Sequence, residues 1–189
     1  MSRRKLKNIL GPGKSNPRNA VFVLLAIAAL YLLQESGFWP AAGPGPQTDG
    51  LISGRVVKVH DGDTFTMIDS GDQKIKVRLF GIDAPELDQA HGRESRRYLR
   101  ELLEGHEVRV ESRGFDQYDR LLGLIYRPDG HSITQDLVES GQVWVYENYC
   151  DIDYCAQLRQ AQKEAKSARR GLWGDENPLA PWKYRRAQN

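Results

Sequence analysis

The chain has 189 residues, of which 40% are hydrophobic and 28% charged, with nine prolines and two cysteines. This composition excludes a disordered, a collagen-like and a disulfide-rich chain. The formal net charge is +2, but residues 1–19 carry six basic and no acidic residues. From Leu51 onward the chain has 21 basic and 23 acidic residues, so its bulk charge does not predict a nucleic-acid-binding protein.

An apolar run of 14 residues, 20–33, follows the basic N-terminus. With its extension to Trp39 it has 20 residues, enough for a helix to span a bilayer. We expect residues 20–39 to form a signal anchor, because no small-residue cleavage site follows directly; a cleaved signal peptide is the alternative. The positive-inside rule leaves residues 1–19 in the cytoplasm and the remainder outside the membrane. Residues 40–50, with three prolines and three glycines, are typical of a linker.

Alternation of apolar and polar residues predicts three antiparallel strands around residues 57–59, 65–67 and 75–79. Turn residues 69–72 separate the second strand from the third. In the third strand Arg78 belongs to the face opposite the apolar residues, so its side chain should point away from that packed face.

The later elements follow from helical spacing and from glycines at helix ends. They are helices at 93–104, 134–140 and 158–172 and strands at 108–111, 121–126 and 142–146. Strands followed by a helix, more strands and a closing helix predict an α+β fold that is mainly β, a small antiparallel barrel with helices at its side.

Two acidic motifs stand at strand ends, His60–Thr64 between the first two strands and Gly81–Glu86 after the third. Carboxylates from neighbouring loops can converge on one hard divalent cation. Each motif alone is more often a turn, but together with Arg78 and Arg120 they supply what phosphodiester hydrolysis needs. These are metal ligands, a carboxylate for water, and guanidiniums for the phosphate charge.

Four ordered segments, at 57–66, 77–86, 116–126 and 158–173, resemble the signature segments of the staphylococcal nuclease (thermonuclease) family. The resemblance implies a five-stranded OB-fold-type barrel with about three helices. It also implies a calcium-dependent, sugar-nonspecific nuclease that cleaves DNA and RNA and leaves 3′-phosphate ends. We take the nuclease-like domain as residues 51–176, followed by a basic tail, 177–189. We expect its basic residues, 183–186, to be solvated; contact with phosphates is the alternative.

The resemblance assigns roles to individual positions. It implies that Asp63, Asp83 and the Ala84 carbonyl bind Ca²⁺, with Asp61 close behind them. The catalytic set that it implies is Arg78, Glu86 and Arg120. It further implies three substrate-binding side chains, Tyr118, Trp144 and Tyr146. An aromatic wall suits single-stranded nucleic acid of any sequence, but ordinary core packing explains Trp144 and Tyr146 equally well.

Cys150 and Cys155 lie five positions apart, between the last strand and the last helix. Outside the membrane such a pair predicts a disulfide that closes a small loop, whereas two free thiols are the alternative in a cytosolic protein. We expect a monomer in an extracytoplasmic location, the periplasm or cell surface. The rival function is a non-catalytic nucleic-acid- or protein-binding OB-fold module at the membrane. Retention of Arg78, Glu86 and Arg120 together favours the enzyme.

Overall fold

A computed structural model of the protein describes residues 51–147, 150 and 153–188. The predicted basic N-terminus, the membrane segment at 20–39 and the linker at 40–50 lie outside these residues. Within the described part, no helix is both long and apolar enough to cross a bilayer.

The strands in the described residues are β1 Leu51–Val59, β2 Thr64–Asp69, β3 Lys74–Leu79, β4 Ile82–Asp83, β5 Glu107–Phe115, β6 Leu121–Tyr126 and β7 Trp144–Val145. Five of them close a barrel in the order β1-β2-β3-β6-β5, which confirms the predicted barrel. The remaining two strands, β4 and β7, pair with each other in a small separate sheet.

The strand pairing that closes the barrel between β3 and β6, the β3–β6 seam, differs from the predicted antiparallel arrangement. Strand β3 pairs with β6 in parallel, with Val77 opposite Leu121 and Arg78 opposite Leu122. A parallel pair needs a long crossover connection, which here consists of β4, the helix at Gly92–Leu103 and β5. The barrel is therefore not wholly antiparallel.

Four α-helices occur in the described residues, where about three were expected. They are α1 Gly92–Leu103, α2 Ile133–Glu139, α3 Tyr154–Ser167 and α4 Pro181–Gln188. The predicted helical face at 158–172 is too long: α3 ends at Ser167 because Arg169 adopts a left-handed conformation with φ 53°. Leu172 then lies in a short 3-10 turn, Gly171–Gly174.

The core fills the barrel and continues beneath the helices. Phe65, Met67 and Ile125 are fully buried in it, and α1 adds Leu99 and Leu103. Burial of such side chains stabilises the fold by roughly 1.5–3 kcal/mol each. This packing fixes the ends of β2 and β3, where the acidic motifs begin.

A disulfide joins Cys150 to Cys155. Both cysteines belong to the core, and a Cβ at Gly81 would lie 3.0 Å from the Cys150 sulfur. The disulfide therefore packs against the backbone that leads from β3 into β4.

Candidate active site

The barrel brings Asp63 and Arg78 side by side. Asp63 immediately precedes β2, and Thr64 pairs with Arg78 across the β2–β3 ladder. The Leu79 N–H donates to the Asp63 carbonyl at 2.9 Å. Gly62 allows the loop to lie against α1, because a Cβ there would be 2.0 Å from the Ser95 hydroxyl.

Arg78 bridges the two buried aspartates. Its Nη1 donates to Asp63 Oδ1, and its Nη2 donates to Asp83 Oδ1 at 3.0 Å. The side chains of Asp63 and Asp83 are only 3% and 1% exposed. Buried charges need such partners, and Arg78 supplies one to each aspartate.

Asp63 receives further hydrogen bonds from its surroundings. Its Oδ2 accepts the Ala84 N–H at 2.8 Å, and its Oδ1 accepts the Thr64 hydroxyl at 3.0 Å. Asp61 Oδ1 in turn accepts the Asp63 N–H at 3.1 Å. Burial raises the pKa of Asp63 to about 6, although Arg78 opposes the shift. Burial alone would lower the pKa of Arg78, but Asp63 and Asp83 raise it on balance, so Arg78 stays charged.

Glu86 is held by its main chain and leaves its carboxylate accessible. Its N–H donates to Gln89 Oε1 at 3.2 Å. A Cβ at Gly92 would lie 1.8 Å from the Glu86 carbonyl oxygen, so α1 begins directly against this residue. The side chain of Glu86 is 40% exposed. Water or a substrate can therefore reach its carboxylate.

Arg120 is oriented by Asp116 on the loop between β5 and β6. Its Nε donates to Asp116 Oδ2 at 2.7 Å, and its Nη2 forms an ion pair with the same oxygen at 2.6 Å. Burial would raise the pKa of Asp116, but hydrogen bonds from Arg120 and from the Tyr118 N–H lower it overall. The Tyr118 ring is 70% exposed and lies 5.4 Å from the Arg120 guanidinium carbon.

These side chains share one cavity of about 360 Å³. A neighbouring cavity of about 300 Å³ is lined by Phe115 and Gln117 in addition to Tyr118, Tyr146 and both arginines. The structure thus brings together all the predicted catalytic and metal-binding positions, with two of the three predicted substrate contacts. The first cavity is lined by Asp61, Asp63, Arg78, Asp83, Ala84, Pro85, Glu86, Tyr118, Arg120, Tyr146 and Arg185.

Trp144 lines neither of these two cavities. Its ring packs edge-on against Trp173, with 4.4 Å between centroids, and against Trp182 at 5.5 Å. Lys166 Nζ lies 5.2 Å from the same ring. The contacts of Trp144 are those of a packing residue, the alternative left open for it above.

Sequence reasoning missed Arg185. Its Nη2 donates to Asp83 Oδ2 at 2.8 Å, and its Nη1 donates to Glu86 Oε1 at 2.6 Å. The expectation of a solvated basic tail is therefore wrong at this residue. Arg185 and Asp83 are 102 positions apart, and no spacing or motif in the tail indicates the contact.

Comparison with known proteins settles the family. The family model described as "Staphylococcal nuclease homologue" matches residues 76–175. The chain belongs to this family. Membership makes it a hydrolytic nuclease, as predicted.

Among its relatives is an uncharacterized endonuclease of Escherichia coli, 42% identical over 134 residues, which cover 71% of this chain and 85% of the relative. Another is the micrococcal nuclease of Shigella flexneri, 39% identical over 142 residues, with coverages of 71% and 80%. A third is an uncharacterized endonuclease of Haemophilus influenzae, 41% identical over 134 residues, with coverages of 71% and 73%.

Proposed function

We propose that this nuclease is calcium-dependent and sugar-nonspecific, and that it hydrolyses DNA and RNA to products with 3′-phosphate ends. The observation that carries the proposal is the cavity that Arg78, Glu86 and Arg120 share with the buried carboxylates of Asp63 and Asp83. A binding module does not need two guanidiniums and a solvent-accessible carboxylate beside an acidic pair, whereas phosphodiester hydrolysis uses all of them.

The donor set suits a hard divalent cation. Asp63 and Asp83 would hold it, with the Ala84 carbonyl as a further ligand and Asp61 behind them, because Ca²⁺ prefers carboxylate and carbonyl oxygens. Among the described residues, no group of three or more Asp, Glu, His or Cys side chains is arranged to hold a metal ion. The carboxylates of Asp63, Asp83 and Glu86 form ion pairs with Arg78 and Arg185 instead. A bound divalent cation would supply charge stabilisation at a phosphate oxygen.

The remaining roles follow from the side chains. Arg78 and Arg120 stay charged and can each hold two oxygens of one phosphate. Asp116 orients Arg120 through a hydrogen bond and an ion pair with the guanidinium. Glu86 is partly exposed and shares one carboxylate oxygen with Arg185, so its carboxylate can reach a water molecule, orient it or accept its proton.

Substrate selection would depend on aromatic side chains at the cavity mouth. Tyr118 and Tyr146 line both cavities. Stacking of a base on a ring tolerates any sequence and requires an unpaired base. We therefore propose a preference for single-stranded DNA and RNA, with no selection by sugar.

The test is hydrolysis of single-stranded DNA and RNA by the full-length protein, with millimolar calcium and with chelator. Glu86→Gln should lower turnover at least about 100-fold, since the group acts on the reacting water. The matched control is Glu101→Gln, the same chemical change on an exposed α1 side chain, which should retain turnover. Cleavage that persists in chelator, or that survives in Glu86→Gln, would reject the proposed site.

The product ends are a separate test. Cleavage that leaves 3′-phosphates also leaves 5′-hydroxyls, which a polynucleotide kinase labels without prior phosphatase treatment. Products that can be labelled only after phosphatase treatment would contradict this part of the proposal.

We also propose that residues 20–39 anchor the enzyme, or direct its export, so that the nuclease domain acts outside the cytoplasm. The proposal is supported by the apolar run behind six basic residues. Protease added to intact cells, or to spheroplasts, should then digest the domain. Complete protection in both preparations would argue for a cytoplasmic domain.

A further inference from the structure

Helix α4 places a third guanidinium, that of Arg185, against the carboxylates of Asp83 and Glu86. Arg185 binds both oxygens of Asp83, through Nη1 at 3.2 Å and Nη2 at 2.8 Å, and it also binds Glu86. Arg78 holds Asp83 Oδ1 as well. Every carboxylate oxygen of Asp83 is therefore occupied by an arginine of the same chain.

The contact is built into the packing of the segment that leads into α4. Gln89 is buried, and its side-chain amide donates to the Leu179 carbonyl at 2.6 Å while its oxygen accepts the Glu86 N–H. Ala180 is only 3% exposed. At the second residue of the helix, the Trp182 ring lies 5.3 Å from the ring of Tyr146. These contacts hold α4 beside the carboxylates that Arg185 reaches.

Arg185 and a divalent cation need the same atoms. Asp83 is one of the proposed metal ligands, and Glu86 is the proposed water-positioning group. A guanidinium cannot lose its proton at any ordinary pH, so it remains a cation beside any bound ion. Two cations on one carboxylate repel each other strongly where water is scarce.

We infer that Arg185 is an internal competitor of the divalent cation, and that it occupies Asp83 and Glu86 until the ion displaces it. The inference rests on the proposed metal site and adds a specific determinant of its affinity. When the ion displaces Arg185, the free energy of the Arg185 ion pairs is lost. The net free energy of metal binding is smaller by that amount. The wild-type enzyme should therefore bind Ca²⁺ only where calcium is abundant.

The experiment is calorimetric titration of the metal-free, full-length protein with CaCl₂ alone. Arg185→Gln should bind Ca²⁺ at least about tenfold more tightly than wild type, since charge-assisted hydrogen bonds contribute on this scale. Arg185→Lys keeps the charge but loses the two-pronged contact, so its affinity should fall between the two. The matched control is Arg186→Gln, which removes the same charge from an exposed residue without an ion pair among the described residues.

The outcomes separate the two claims. Equal, measurable affinities of wild type and Arg185→Gln would overturn the competition and leave the metal site standing. Equal gains in Arg185→Gln and Arg186→Gln would also overturn it, because net charge alone would then explain them. Absence of Ca²⁺ binding by every variant would overturn the proposed metal site and the inference together.

A second measurement uses the wild-type protein and does not depend on the folding of a variant. A guanidinium engaged by Asp83 and Glu86 cannot enter the specificity pocket of trypsin. Calcium should therefore speed cleavage after Arg185 relative to cleavage after Arg186, as read by mass spectrometry of the released peptides. An unchanged ratio would contradict displacement of Arg185 by the ion.

Discussion

Two arginine–aspartate pairs lie at the candidate site in different surroundings. Both arginines line both cavities, whereas Asp63 lines only the first and Asp116 only the second. Arg78 pairs with Asp63, whose carboxylate is 3% exposed between barrel strands. Arg120 pairs with Asp116 on a connecting loop, where the carboxylate keeps 15% of its exposure. Burial raises the pKa of Asp63 to about 6. In Asp116 the effect of burial is outweighed by hydrogen bonds from Arg120 and Tyr118, which lower the pKa.

The difference shows that a neighbouring guanidinium is not sufficient to determine the pKa of an aspartate. Water and backbone N–H donors decide the balance. Asp116 accepts the N–H groups of both Tyr118 and Arg120, whereas Asp63 is shut away from water. The first pair thus belongs to the buried part of the barrel. The second pair lies partly exposed on a loop, where Asp116 orients the Arg120 side chain.

Removal of each arginine gives the largest expected effects. Arg78→Gln and Arg120→Gln should each lower turnover about 100- to 1,000-fold, because each removes a proposed donor to the reacting phosphate. Arg78→Gln should also lower the free energy of unfolding by about 3 kcal/mol, since it leaves the buried carboxylate of Asp63 without its charged partner. Arg120→Gln should cost at most about 1 kcal/mol, because Asp116 can be hydrated.

Turnover assays and urea unfolding together check this contrast. Arg78→Lys, which keeps a charge beside Asp63, serves as the second variant if Arg78→Gln does not fold. Equal losses of stability in Arg78→Gln and Arg120→Gln would contradict the described difference in burial between the two arginine–aspartate pairs.

Added volume beside the buried pair should have the next largest effect. Gly62→Ala places a Cβ 2.0 Å from the Ser95 hydroxyl and 2.7 Å from the Ala84 Cβ. We expect a loss of about 2–3 kcal/mol in the free energy of unfolding, as for other overpacked sites. At Gly174 the nearest atom to an added Cβ is 3.5 Å away. Gly174→Ala should therefore change stability by less than about 0.5 kcal/mol, and similar losses in both variants would show that the Asp63 loop is not tightly packed.

The pH dependence of stability should have opposite signs at the two aspartates. Asp63 has a folded-state pKa of about 6, above the ordinary value of 3.8. Its stabilising contribution is complete below pH 3.8 and is lost as the pH rises through 6. The lowered pKa of Asp116 acts in reverse: its contribution is present above 3.8 and is lost as the pH falls through the folded-state value.

Unfolding free energies measured in chelator from pH 3 to pH 7 test this. Asp63→Asn should reduce the loss of stability between pH 4 and pH 6, and Asp116→Asn should reduce the loss below pH 4. The same pH profile for both variants would show that their surroundings do not differ as described.

Much of the fold could be predicted because its signals are local. Alternation marked β1, β2 and β3, and Gly105, with φ 84°, ends the α1 region as expected. The acidic motifs and Arg78 could be grouped because adjacent antiparallel strands must bring their ends together.

The rest depends on contacts between distant segments, and no local pattern reports them. The parallel β3–β6 seam and the β4–β7 pair join residues far apart in the chain. Gln89, which links Glu86 to Leu179, looks like an ordinary loop residue in the sequence. Trp144 is typical of either a base-stacking or a packing residue, and only its neighbours distinguish the two roles.

The parallel seam between β3 and β6 also has a consequence for folding kinetics. Arg78 stands on β3, which ends at Leu79, whereas Arg120 directly precedes β6, which begins at Leu121. Such a non-local pairing forms slowly, because the entropy of closing the intervening loop is lost before the contacts form. During refolding, nuclease activity should therefore return only when this seam closes, and a nascent chain stays inactive until β6 has been synthesised.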